Sequence, residues 1–263
     1  LERKGLPSRQ ANSLTRDLLR TLHNRSFRYL MASDISMMMG FGCFSTLNML
    51  IWTYYWEFDA QSVSIILSAP SLLAVALMAV TLGHLSRRFE KSHLLQLAFL
   101  GMILNCLWLY PMRYLGWLPE NGTPLIFWLN FIFMAVFMYC FLMRTIQNQS
   151  IIADVSDEHD VTHGLRQEAG FFAANNFANK SATVFGPFYG GVVLDIIGLT
   201  SSMRPGEIGG DVLDRLVIAY GLGALPFMGL GLFFSRRITL SRARVESLQK
   251  AIRERDASAA SGL

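Results

Sequence analysis

The chain has 263 residues, of which 52% are hydrophobic and only 16% are charged, with a formal net charge of +4. Soluble globular domains carry about 25% charged residues, so this composition indicates either an exceptionally apolar soluble core or a bilayer as the solvent. Cys43, Cys106 and Cys140 lie in apolar stretches, without metal-ligand spacing or a disulfide framework. The basic residues flank hydrophobic spans, which favours a membrane over nucleic acid as the partner.

Six long apolar segments, with charges mainly at their edges, favour a bilayer over an apolar soluble core. A bilayer core about 30 Å thick requires about 20 apolar residues per spanning helix. Backbone groups in lipid must be satisfied within the segment, which favours helices. We therefore predict an all-α fold, an integral membrane six-helix bundle over 29–235, with a basic segment 1–28 before it and a tail 236–263 after it. The predicted spans are 29–56, 64–84, 94–114, 124–146, 170–197 and 213–235.

Lysine and arginine alternate from one side of these spans to the other. The N-terminal segment and the C-terminal tail hold seven each, and the second-to-third and fourth-to-fifth connections hold five more. The connections on the opposite side hold three. The positive-inside rule then places both termini in the cytoplasm, so we expect a multi-pass protein of the cell (inner or plasma) membrane.

Two glycines and two prolines in the predicted spans bear on helix packing. Pro70 and Pro226 are expected as kinks, which bilayer helices tolerate when neighbours satisfy the freed carbonyl groups. Gly186 and Gly190 form a small-xxx-small pair that allows two helices to approach closely. This pair indicates either static packing or a contact that moves during transport.

Lys180 falls near the middle of the fifth predicted span, about 16 Å along the helix. A charge there costs about 2.5–3.5 kcal/mol on insertion scales, so we expect Lys180 to face a partner or a water-filled cavity. Asn176 and Thr183 lie on the same helical face, and such a polar stripe is typical of a substrate or ion path. The alternative is a lysine paired with a carboxylate for assembly alone.

Asp34 lies about two turns into the first predicted span. It either joins the substrate or cation path, by coupling to a cation or pairing across helices, or lies at the membrane interface, where a charge costs little. After the last span, Val245, Leu248 and Ile252 are spaced for one face of a helix. This spacing predicts an amphipathic C-terminal helix, with a solvated tail as the alternative.

A pair of histidines follows the fourth predicted span. His159 and His163 belong to the string H-D-V-T-H, which approximates the zinc-protease pattern H-E-x-x-H. Asp160 stands at the position of the catalytic glutamate, and no third ligand follows, so we expect no metal site in this connection. The alternative function is a membrane metal-dependent hydrolase that uses His159 and His163. The chain contains no phosphate-binding P-loop, which argues against an ATP-driven pump.

The same connection carries a family resemblance. The run I-I-A-D-V-S-D-E at 151–158, then G-L-R-Q-E-A-G-F-F at 164–172 and then Lys180 resemble the glycoside–pentoside–hexuronide:cation symporters. These are the melibiose-carrier-like members of the major facilitator superfamily, whose usual pattern reads I-A-D-x-x-D followed by T-G-x-R-R-E-G-x-F-F. The resemblance covers essentially the whole chain and departs from the pattern at His163 and Ala169.

The resemblance implies a carrier of twelve helices, with this chain as the C-terminal half of a major-facilitator-type transporter. It implies cation-coupled symport of a sugar or related small solute by alternating access, with sodium or a proton as the coupling cation and no other cofactor. The lysine at the sugar and cation sites maps onto Lys180. The cytoplasmic gate that it implies maps onto Arg87, Arg88, Asp154, Asp157, Arg166 and Glu168.

The partners expected from this reading are membrane lipid, a sugar or glycoside, and either the N-terminal six-helix half or a second copy of this chain. No nucleic acid is expected, and the protein is predicted to be a transporter and not an enzyme. The remaining alternative is a truncated membrane protein that does not transport.

Overall fold

The computed structural model describes residues 24–163, 168–199, 206, 208–238 and 240–261, without the side chains of residue 163 and of residues 256–261. Nine α-helices make up most of this part of the chain, and it contains no strand. In chain order they are α1 (Arg25–Leu50), α2 (Ala60–Arg88), α3 (Lys91–Cys106), α4 (Leu109–Tyr114), α5 (Pro124–His163), α6 (Glu168–Thr183), α7 (Phe185–Ile197), α8 (Gly210–Ser235) and α9 (Arg242–Ser261). A π-helical turn, Ile51–Tyr55, continues α1.

Five helical stretches among the described residues are long and apolar enough to cross a membrane. They correspond to the first, second, third, fourth and sixth predicted spans, and they confirm an all-α, multi-pass membrane protein. Most begin a few residues before the predicted boundary, because polar residues flanking the apolar core continue the helix. The five stretches are Arg25–Tyr55, Ala60–Arg88, Lys91–Tyr114, Pro124–Thr162 and Gly210–Ser235.

The fifth predicted span differs from the single helix expected over 170–197. The structure contains two consecutive helices there, α6 of 16 residues and α7 of 13 residues, which meet at Val184. Pro187 supplies the physical reason. Its nitrogen has no hydrogen to donate to the carbonyl of Thr183 four residues earlier, and its ring crowds that carbonyl. Pro70 and Pro226, by contrast, lie inside uninterrupted helices.

Helix α5 is much longer than the predicted fourth span. Its 40 residues extend for about 60 Å at 1.5 Å per residue, twice the thickness of a bilayer core. Residues 125–163 contain no glycine or proline, so nothing in the backbone ends the helix at residue 146. The acidic stretch from Asp154 to Asp160 is therefore helical, and its assignment to a connecting loop is wrong.

Helix α9 packs against the extension of α5. Leu248 is 3% exposed and Val245 packs against the same core. Arg255 Nη2 donates to Asp160 Oδ2 at 2.8 Å, so charged side chains add to the apolar contact. These contacts confirm the amphipathic C-terminal helix and not the solvated tail.

Helix α1 lies at the centre of the bundle, between α8 on one side and α6 and α7 on the other, whereas α5 packs against α2 and α3. Its contact with α7 is unusually close. A Cβ atom added to Gly186 would lie 2.5 Å from the carbonyl carbon of Gly42, and one added to Gly190 would lie 2.5 Å from Thr46 Cγ2. The small-xxx-small pair therefore lies in a close helix contact, and whether this contact moves during transport stays a prediction.

Replacing Gly186 with alanine is expected to lower the stability of the folded bundle by about 1–3 kcal/mol, because the added methyl group overpacks the α1–α7 contact. Thermal unfolding of the detergent-purified protein measures the loss. Gly191→Ala is the matched control, since a Cβ at Gly191 has no neighbour within 4 Å. Equal melting temperatures for the two variants would contradict the close packing.

Candidate functional site

A buried ion pair joins α1 and α5 inside the bundle. Asp34 is 0% exposed and Arg144 is 2% exposed, and Arg144 Nη2 contacts Asp34 Oδ1. An isolated charge in such a position is expensive, and a buried pair persists only with good geometry and additional hydrogen bonds. The structure therefore places Asp34 in a cross-helix pair and not at an exposed interface.

Two asparagines complete the surroundings of the Asp34 carboxylate. Asn148, one turn after Arg144 on α5, donates its Nδ2 hydrogen to Asp34 Oδ2 at 3.1 Å. Asn179 on α6 donates to the same oxygen at 2.6 Å. One carboxylate thus joins three helices, and we call Asp34, Arg144, Asn148 and Asn179, together with Asn175, the buried polar cluster.

The buried polar cluster retains hydrogen-bonding capacity that the described residues leave unused. Asn175 lies one turn before Asn179, is 1% exposed, and has neither its amide nitrogen nor its amide oxygen paired within the described part of the chain. The same holds for Arg144 Nε and Asn179 Oδ1. Each unpaired buried group costs about 1–3 kcal/mol, so the cluster is suited to hold water or a polar solute group.

Most of this cluster is not predicted from the sequence, in which Arg144 counts only among the basic residues after the fourth span and the asparagines around Asp34 carry no prediction. A signal was available, because Arg144 and Asn148 are four residues apart within an apolar segment, and so are Asn175 and Asn179. Polar residues at that spacing share one helical face.

The predicted path residues Asn176, Lys180 and Thr183 lie on a different face of α6 from the two asparagines that this helix contributes to the buried polar cluster. All three are exposed, whereas Asp34 is buried. Thr183 Oγ1 donates to the carbonyl oxygen of Lys180 at 2.8 Å. The structure thus brings Asn176, Lys180 and Thr183 onto one open surface, here called the polar face of α6, and separates them from Asp34.

Of the gate residues predicted from the resemblance, Arg87, Arg88 and Asp154 lie at the end of the bundle where α2 ends and α3 begins, here called the charged end. Asp154 on α5 is 4% exposed and accepts hydrogen bonds from Lys91 Nζ at 2.7 and 2.9 Å. Arg87 and Arg88 are exposed at the end of α2. The role of Asp154 as a gate residue stays a prediction, and its partner Lys91 is not among the residues predicted from the sequence.

The first turn of α9 closes the end of α2. Arg242 Nη2 donates to the carbonyl oxygens of Ser86 at 2.5 Å and Phe89 at 3.3 Å, and its Nη1 donates to that of Arg87 at 3.4 Å. A guanidinium group in this position satisfies carbonyls that lack helical partners and complements the negative end of the helix dipole. These hydrogen bonds hold the beginning of α9 against the end of α2 at the charged end.

The remaining predicted residues have different positions. Asp157 lies on α5 and is partly buried, and Glu168 is exposed in the first turn of α6. Arg166 lies outside the described residues. His159 is 3% exposed and packs edge-on against Phe171, with ring centroids 5.5 Å apart. The side chain of His163 also lies outside the description.

A bundle of long apolar helices with charges buried between them is typical of multi-pass membrane transporters. A family model described as MFS/sugar transport protein matches residues 2–242. The chain belongs to this MFS/sugar transport protein family, in the major facilitator superfamily, and the family together with the apolar helices supports a membrane transporter. A search of curated proteins found no match. The family points to a transporter and not to an enzyme.

Removing one charge of the buried polar cluster is expected to cost more stability than removing both. Arg144→Gln leaves the Asp34 carboxylate buried without its counter-charge, which costs about 3–5 kcal/mol. The double variant Asp34→Asn with Arg144→Gln should unfold at a higher temperature than Arg144→Gln alone, because no charge remains buried. Thermal unfolding of the purified protein makes the comparison, and additive losses from the two substitutions would refute the pairing.

Proposed function

We propose that the protein containing this chain is a secondary active transporter that couples uptake of a sugar or related small solute to a cation, sodium or a proton, by alternating access. This chain would supply one six-span half. The missing N-terminal half, or a second copy of the chain, would supply the opposite wall of the solute path. Membrane lipid and the solute are the other proposed partners.

The polar face of α6 carries this proposal. Lys180 is exposed there, and in the part of the chain that the structure describes it forms no ion pair. A cation at membrane depth requires a polar partner or a water-filled cavity. The surface around Asn176, Lys180 and Thr183 is therefore better suited to line a solute path than to face lipid.

The buried polar cluster is linked to the proposed solute path through α6. Asn179 lies next to Lys180 in the sequence and binds Asp34, so the position of α6 is linked to the Asp34–Arg144 pair. A movement of α6 that followed solute binding would strain or release that hydrogen bond. We propose that Asp34 takes part in coupling through this link.

The charged end is the proposed gate on the predicted cytoplasmic side. Its contacts are of the kind that can break and re-form, because each pairs a largely buried carboxylate with a half-exposed cation: Asp154 with Lys91, and Asp160 with Arg255. We propose that Arg87, Arg88, Asp154, Asp157, Arg166 and Glu168 form the gate with the other half, and that Lys91 belongs with them.

Lys180→Ala in the full-length carrier is expected to abolish cation-coupled uptake, because the only charge proposed for the polar face of α6 is removed. Uptake of a panel of sugars into vesicles, with and without sodium and with and without a pH gradient, is the measurement. It also identifies the solute and the coupling cation.

Lys250→Ala is the matched control for this variant. Lys250 lies exposed on α9, where it pairs at 3.8 Å with Glu254, one turn away, so its loss should leave uptake intact. Insertion and melting temperature are checked for both variants. Normal coupled uptake by a well-inserted Lys180→Ala carrier would overturn the assignment.

A further inference from the structure

A narrow groove runs between α3 and α8 at the charged end. It has a volume of about 350 Å³, and Leu97, Leu100 and Leu232 form much of its apolar wall. His93 and Arg236 also line it. His93 and Arg236 lie near the end of the bundle, whereas Leu100 lies about 10 Å further along α3 at 1.5 Å per residue. Phe89 and Gln96 complete the lining. The basic side chains therefore lie at the outer end of the groove, and the three leucines continue it towards the membrane.

Positive charge lies at and beside this groove, on Arg236 and Arg237. Arg236 is exposed, and in the described part of the chain neither it nor Arg237 forms an ion pair. The Arg237 guanidinium lies 4.9 Å from the centre of the Phe233 ring, and that of Arg25 lies 5.8 Å from the Tyr29 ring. Arg236 thus presents a cation on the groove, and the neighbouring Arg237 lies over an aromatic ring.

We infer that this groove binds one anionic phospholipid. Arg236 and His93 contact the headgroup phosphate, and an acyl chain lies along Leu97, Leu100 and Leu232. The order of groups along the groove matches the order along a lipid molecule, with charge at the outer end and hydrocarbon below it. Basic residues beside membrane-spanning helices attract anionic headgroups in this way.

Two features argue for a lipid over other ligands. Leu97 is 50% exposed and Leu100 is 40% exposed, and these apolar side chains would add nothing to the binding of a soluble anion. No residue of α6 lines the groove, so the site is separate from the proposed solute path. The inference therefore stands or falls independently of the transport proposal.

Native mass spectrometry of the detergent-purified full-length protein tests the inference by resolving the first bound lipid. Phosphatidylglycerol is titrated against phosphatidylcholine of the same chain length. The unmodified protein should bind the first phosphatidylglycerol more tightly than the first phosphatidylcholine. Arg236→Gln should weaken that binding about fivefold, the effect of one basic residue at an anionic membrane surface. Leu100→Trp, which fills the groove, should weaken it as well.

Arg244→Gln is the matched control, because Arg244 is exposed on α9 outside the groove and the substitution removes the same charge. An equal loss with Arg244→Gln would show a general charge effect and would overturn the inference. Unchanged binding by folded Arg236→Gln and Leu100→Trp proteins would do the same. Displacement of the lipid by millimolar glycerol 3-phosphate would identify a soluble anion as the ligand. Melting temperatures confirm that the variants are folded.

Discussion

The contact between Asp34 and Arg144 constrains the whole bundle. Neither charge is tolerable alone in an apolar interior, so α1 and α5 must meet at one register. Asn148 and Asn179 then satisfy the second carboxylate oxygen, which brings α6 to the same point. The apolar packing of α1 on α8, and the approach of Gly42 to Gly186 on α7, occur around this fixed position.

The same contact limits what Asp34 can do. Its carboxylate already faces the Arg144 guanidinium and accepts hydrogen bonds from two asparagines, so a coupling cation would have to compete with a resident positive charge. Lys180, in contrast to the buried Asp34, is exposed, and it forms no ion pair in the described part of the chain. The buried polar cluster is therefore separate from the polar face of α6. The two are connected by Asn179 and Lys180, which are adjacent in the sequence.

Apolar length and charge distribution were sufficient to predict the membrane class and five of the spanning helices, because the bilayer imposes both. They were insufficient to predict where a helix is interrupted, because that depends on the tertiary contacts of the residues around a proline. Kinks are predicted at Pro70 and Pro226, yet the helix break lies at Val184, three residues before Pro187. That residue follows Gly186, which packs directly on Gly42, so tertiary contact and the missing hydrogen bond act at the same place.

The polar sites were predicted unevenly for a similar reason. Lys180 stands out in the sequence because a charge in the middle of an apolar segment is conspicuous by itself, and its role stays a prediction. The importance of Arg144 depends on Asp34, which is 110 residues earlier in the chain, and pattern within one segment does not reveal such a pairing. The acidic stretch lies beyond the predicted end of the fourth span, whereas the 40-residue helix extends past the bilayer and accommodates its charges.

The distance in sequence between Asp34 and Arg144 also affects biosynthesis. The first span is made and delivered to the insertion machinery well before the fourth, so the Asp34 carboxylate waits without its counter-charge while more than a hundred residues are translated. Until α5 is made, the unpaired charge raises the cost of moving the first span into lipid. Pairing with Arg144 offsets that cost, so stable packing of the first span in the bundle depends on a helix that is synthesised much later.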